Sequence, residues 1–105
     1  THVSEAYRAR VFSSVQNNEP CFGRVWINNN DAICDTGNIF CNNCQLMDCS
    51  TPNNPYSVQV HMAKNSKLVD AGNNGCFEVT GTGFNWDFKE IDCSQYPSNP
   101  TTCHL

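Results

Sequence analysis

Eight cysteines fall within 105 residues, at Cys21, Cys34, Cys41, Cys44, Cys49, Cys76, Cys93 and Cys103. That density in a short chain is the mark of a scaffold held by disulfides, and the even number allows four bridges with no thiol left over. The cysteines span most of the chain, so the bridges tie distant segments together. The pairing stays open, because eight cysteines can pair in 105 ways. Zinc is the competing use: Cys41-Asn-Asn-Cys44 has half-site spacing, with Cys34 and Cys49 close by. That use requires a reducing compartment and leaves Cys21, Cys76, Cys93 and Cys103 unexplained, so the expectation is no metal, no cofactor and an oxidising, extracellular location.

Length allows one domain, residues 1–105, with a modest core. The net charge is -4, and the six lysines and arginines are scattered singly. No basic stripe is present to hold a phosphate backbone, which disfavours nucleic acid as a structural partner. No run approaches the roughly 20 apolar residues of a membrane span. The opening Thr1-His2-Val3 is not a signal peptide, so the chain is expected to be the mature form. Polarity comes largely from asparagine pairs and triplets, which are turn material. None of them heads a usable glycosylation sequon.

Alternating apolar and polar residues predict a strand over 6–15, and a short aromatic and β-branched run ending at three asparagines predicts a second over 21–27. Between 35 and 49 the alternation breaks, and Asn38 is placed to cap a short helix carrying Phe40, Cys44 and Met47 on one face. Alternation returns at 57–62, with Val58, Val60 and Met62 inward and Ser57, Gln59 and His61 outward. A turn at Asn65-Ser66 then leads into 67–70. Glycine and asparagine at 72–75 introduce a strand over 76–80, and Gly81-Thr82-Gly83 turns the chain into a last strand over 84–92. There Phe84, Trp86 and Phe88 share a face, and Ile91 falls out of phase, which implies a bulge near Lys89-Glu90. Residues 94–105 read as an irregular strap tied down by Cys103. The fold class expected is mostly β: a disulfide-stapled antiparallel sandwich or small barrel with at most one short helix, its second half a four-strand meander.

Few residues suggest chemistry. His61, Glu78 and His104 occur in an order similar to that of small fungal guanyl-specific ribonucleases. That family also has an arginine between its glutamate and its last histidine, and here none follows Arg24. A secreted ribonuclease-like hydrolase is therefore an alternative reading only. Asp87, Glu90 and Asp92 would act as paired carboxylates only if the bulge brings them onto one side. Asp31, Asp35 and Asp48 lack the spacing of a calcium loop. There is no nucleophile elbow, and bridged cysteines are inert, so no catalytic residue is assigned. The aromatics are expected in the core by default. An exposed Trp26 or Trp86 beside Tyr56 or Tyr96 would instead form a platform for a sugar ring or a protein partner.

In size, acidity, asparagine-rich loops and cysteine density, the whole chain resembles the small secreted cysteine-rich proteins of filamentous fungi, among them apoplastic effectors and killer-toxin-like proteins. The resemblance implies a stable extracellular protein that acts by binding a protein or carbohydrate target of a host or competitor. A secreted toxin that blocks a channel or receptor is a second reading, since a net charge of -4 argues against direct lysis of membranes. Oligomeric state is not legible.

Overall fold

The computed structural model describes residues 7–16, 18–28, 31–51 and 55–100. Nine strands run in the order β1 (Tyr7–Ser13), β2 (Pro20–Asn28), β3 (Asp31–Asp35), β4 (Ile39–Phe40), β5 (Gln45–Thr51), β6 (Tyr56–Met62), β7 (Asn65–Ala71), β8 (Gly75–Gly81) and β9 (Trp86–Ile91), followed by a 3-10 turn at Cys93–Gln95. They form two sheets. One has four strands in the order β5-β1-β8-β9, and the other has five, with β3-β2-β6-β7 in line and β4 pairing with the start of β2. All pairings are antiparallel except β1 with β8, which is parallel.

This is a disulfide-stapled sandwich and not a barrel. Ala9, Val11, Phe77, Val79 and Phe88 from one sheet meet Val25, Val58, Val60 and Met62 from the other in a shared buried core. The alternation of β6 is complete: Tyr56, Val58, Val60 and Met62 are buried, and the three residues between them are partly open. A strand buried on one face needs this period of two.

Both long edges of the sandwich are tied across. On one edge the Cys34–Cys49 disulfide joins β3 to β5. On the other, the Lys67 ammonium of β7 donates to the Trp86 carbonyl of β9 at 2.9 Å, lies 5.1 Å from the Trp86 ring centroid and sits 3.8 Å from Asp87. Cys21–Cys41 fixes β2 to the turn after β4, and Cys76–Cys93 anchors segment 92–100 over the outer face of the four-stranded sheet. There Tyr96 packs edge-on against Phe12 and under the Arg10 guanidinium. No cysteine among the described residues is free, and Cys44 is bridged as well. Cys103 and His104 lie outside the described residues.

Several expectations need correction. No helix forms between 38 and 49. Ser13, fully buried, donates to the Cys41 carbonyl at 2.6 Å, and its amide donates to the Cys44 carbonyl at 2.7 Å. With the Cys21–Cys41 bridge these bonds hold the segment as a turn between β4 and β5. The second half is not one meander, because the β6–β7 hairpin belongs to one sheet and the β8–β9 hairpin to the other. β9 begins at Trp86, so Phe84 does not share a face with it and stands 87% exposed in the preceding turn. No bulge occurs at Lys89-Glu90, where the register with β8 is unbroken. Asp87 and Glu90 therefore face opposite sides.

Two glycines are required by close approach. A Cβ at Gly75 would lie 2.6 Å from the Tyr56 hydroxyl and 2.7 Å from the Phe77 ring, and one at Gly81, whose φ is +100°, would collide with the Asn85 carbonyl. The β6–β7 turn is made by Ala63 and Lys64, with φ of +53° and +67°, and not by Asn65-Ser66. A two-residue turn with both central φ positive suits Asn-Gly, and an ordinary residue there is strained by about 1–2 kcal/mol. Lys64→Gly should therefore raise stability by about 0.5–1 kcal/mol after the added freedom of the unfolded chain is subtracted. Urea denaturation would measure it, and a lower midpoint would contradict the turn geometry.

Candidate functional site

The outer face of the five-stranded sheet carries an array of mutually interacting side chains. Strand register alone sets its plan. Across β2, β6 and β7, Phe22 pairs with His61 and His61 with Ser66, Arg24 with Gln59 and Gln59 with Leu68, and Trp26 with Ser57 and Ser57 with Asp70. These nine residues form three rows of three, spanning roughly 13 Å along the strands and roughly 10 Å across them.

Within this grid the polar groups are joined in a directed chain. The Trp26 indole N–H donates to Gln59 Oε1 at 2.9 Å. Because an indole nitrogen can only donate, the Gln59 amide must present its oxygen to Trp26 and its nitrogen to Ser66, where Nε2 lies 3.2 Å from Oγ. Ser66 Oγ also lies 2.6 Å from His61 Nδ1, within hydrogen-bond distance. The His61 ring stacks on Phe22, with centroids 4.9 Å apart and planes 12° from parallel. The Arg24 guanidinium lies 4.4 Å from the Phe22 centroid and 5.9 Å from that of Trp26. Arg24 also donates to Asp35 of β3 at 2.9 Å. Each of Trp26, Gln59, Ser66, His61, Phe22 and Arg24 is thus held by its neighbours.

At the two ends of this face the surface is concave. One hollow, about 420 Å³, is lined by Trp26, Ile27, Pro55, Tyr56, Leu68 and Ala71, with Ser57 and Asp70 beside them. The Ser57 hydroxyl donates to Asp70 Oδ1 at 2.6 Å, and Tyr56 turns its hydroxyl away to the Asn73 carbonyl. Burial pushes the Tyr56 phenol above its ordinary pKa. The other hollow, about 350 Å³, is bordered by Glu19, Pro20, Phe22, Asn38, His61 and Lys64. Phe40, 47% exposed, pairs with Pro20 near it.

The four aromatics singled out from sequence separate. Trp26 and Tyr56 border one hollow, Trp26 from the outer face and Tyr56 as a buried, inward residue of β6. Trp86 is buried in the core, its carbonyl and ring holding Lys67 at the sandwich edge. Tyr96 lies on the opposite outer face, in a concavity with Arg8, Arg10 and Asp48, where Arg8 and Asp48 form an ion pair and burial pushes the phenol up. His61 and Glu78 stand on the outer faces of different sheets, so the sandwich lies between them. Among the described residues no group of three or more His, Cys, Asp or Glu side chains converges as a metal site would require. Sequence reasoning expected Phe22 in the core, whereas it stacks on His61 at the outer face, and did not single out Arg24, Gln59, Ser66, Leu68 or Asp70 as site residues. Their association depends on cross-strand register, which no local pattern states. No protein-family model matches the chain, and a search of curated proteins finds no similar sequence.

Asp35 anchors the grid electrostatically. The Gly37 amide and then the Arg24 guanidinium hold its carboxyl below the ordinary carboxylate pKa. A carboxyl with a depressed folded pKa adds stability above the unfolded value, and that stability is lost as pH falls through the folded value. Asp35→Asn should therefore cost stability at neutral pH, and the gap from wild type should narrow as the pH drops below about 4. Urea denaturation across that range would show it, and a constant gap would contradict the ion-pair geometry.

Proposed function

We propose that this is an extracellular binding protein that engages its target through the outer face of the five-stranded sheet, and that it does not turn over a substrate. The observation that carries this reading is the closed set of contacts linking Trp26, Gln59, Ser66, His61, Phe22 and Arg24. Side chains already held in place lose little freedom when a partner arrives, so such a face binds with a small ordering cost. A catalytic residue has different needs: a tuned acid or base set against a second reactive group in a cleft. His61 is engaged with Ser66 and Phe22, and Glu78 is on the far side of the molecule.

Bridges at Cys21–Cys41, Cys34–Cys49 and Cys76–Cys93 support an oxidising compartment, which suits secretion. No helix among the described residues is long and apolar enough to cross a membrane. The resemblance to small secreted fungal proteins favours a target on the surface of a host or competitor cell.

A depletion assay tests this reading. Labelled protein is mixed with intact plant cells or intact yeast cells, and the unbound fraction is measured. Wild type and the control Glu78→Lys, on the other sheet, should associate with at least one of these surfaces. The double variant Gln59→Arg/Leu68→Arg, which plants two cations in the middle row, should bind at least ten-fold more weakly. Equal depletion by the control and the double variant, or no depletion of wild type by either cell, would refute it.

A further inference from the structure

We infer that the hollow at Trp26 is a subsite for one ring of a neutral saccharide chain, an inference that rests on the binding face proposed above and names its ligand class. A pyranose ring offers two kinds of surface: a face of C–H groups that packs on an aromatic wall, and an edge of hydroxyls that both donate and accept. The hollow offers both counterparts. Trp26 and Leu68 supply apolar wall on the outer face. On the same side, Asp70 uses Oδ1 to accept from Ser57, and its Oδ2 has no partner among the described residues. That oxygen is a free acceptor for a sugar hydroxyl, and Ser57 Oγ, whose proton is given to Asp70, can accept from the neighbouring one. The volume of about 420 Å³ lies within the range of small-ligand sites, where apolar walls and a few fixed polar groups are usual.

The charge pattern selects against other occupants. Arg24 is paired with Asp35, 2.9 Å away, and among the described residues the Asp70 carboxylate is the one formal charge lining the hollow. An acidic glycan would meet that carboxylate with no cation among the described lining residues. A protein hot spot fills a dry apolar pocket with an aromatic or arginine anchor, whereas this hollow is lined in part by a hydroxyl and a carboxylate. From the hollow, the rows through Gln59 and His61 continue along the face toward Glu19 and Lys64, so a chain of several sugar units has further polar groups to follow.

The test is nuclear magnetic resonance titration of the oxidised protein with hexasaccharides of β-1,4-glucose, β-1,3-glucose, β-1,4-N-acetylglucosamine and α-1,4-galacturonic acid, and with hexalysine. The expected result is that at least one of the three neutral sugars shifts the Trp26 indole N–H and the amides of Ser57, Gln59, Leu68 and Asp70. Trp26→Ala should weaken that binding at least ten-fold and Trp26→Phe less, while Asp70→Asn should weaken it several-fold, each variant keeping the dispersed spectrum of the folded protein. If none of the neutral sugars perturbs these signals, if they act only at the Arg8–Arg10 concavity, or if galacturonate or hexalysine binds these residues more tightly, the saccharide assignment falls. Cell-surface depletion that still depends on the middle row would then leave the binding face standing with a different ligand. Loss of both results would remove the face as well.

Discussion

The sandwich depends on being closed along both edges, because two small sheets sharing a thin core would otherwise slide. One closure is covalent, from Cys34 in β3 to Cys49 in β5. The chain-entropy account gives a bridge of this loop length about 3 kcal/mol, a large share of the stability of a small domain. The other closure is polar: Lys67 reaches from β7 to the Trp86 carbonyl of β9 and covers the indole on its way. Trp86 therefore serves the fold. With the edges fixed, Phe77, Val79 and Phe88 can pack against Val58, Val60 and Met62 in one register, and that register sets the order of side chains on the outer faces.

The two outer faces are treated differently. Segment 92–100 crosses the four-stranded sheet, pinned by Cys76–Cys93 and by Tyr96 against Phe12 and Arg10. No described segment crosses the grid on the five-stranded sheet, and its side chains hold one another. A surface that only needs to be soluble has no use for so many mutual restraints, since each long side chain gives up rotamer freedom to make them. The Ala63-Lys64 turn beside the second hollow adds strain in the same region, and strained backbone tends to gather where a surface has a task.

Much of the fold was legible in the sequence. The strands now seen as β1, β6 and β8 follow from alternation bounded by turn residues and β2 from its aromatic and β-branched run, and the inward and outward sets on β6 are as read. Segment 31–51 was not legible, for two reasons. β3 and β4 are too short to show a period, and the shifted register between Val11 and Phe12 of β1 leaves both Leu46 and Met47 of β5 buried, which breaks the alternation there. Tertiary bonds from Ser13 and two disulfides impose structure where local propensity was silent. Alternation also could not say that Phe84 precedes its strand. Of the candidate site, Trp26, Tyr56 and His61 drew notice as residue types. The rows that join Trp26 to Asp70 and Phe22 to Ser66 exist only once β2, β6 and β7 are known to be neighbours.

The central claim is that this face is ordered before any partner arrives, and side-chain relaxation measures that directly. In the free, oxidised protein, ¹⁵N order parameters for the Trp26 indole N–H, the Arg24 Nε–H and the Gln59 amide group should approach the rigid-backbone value of about 0.85. Values below about 0.6 at these three groups, with a rigid backbone beneath them, would mean that the contacts are transient, and the account of a pre-ordered binding face would be wrong.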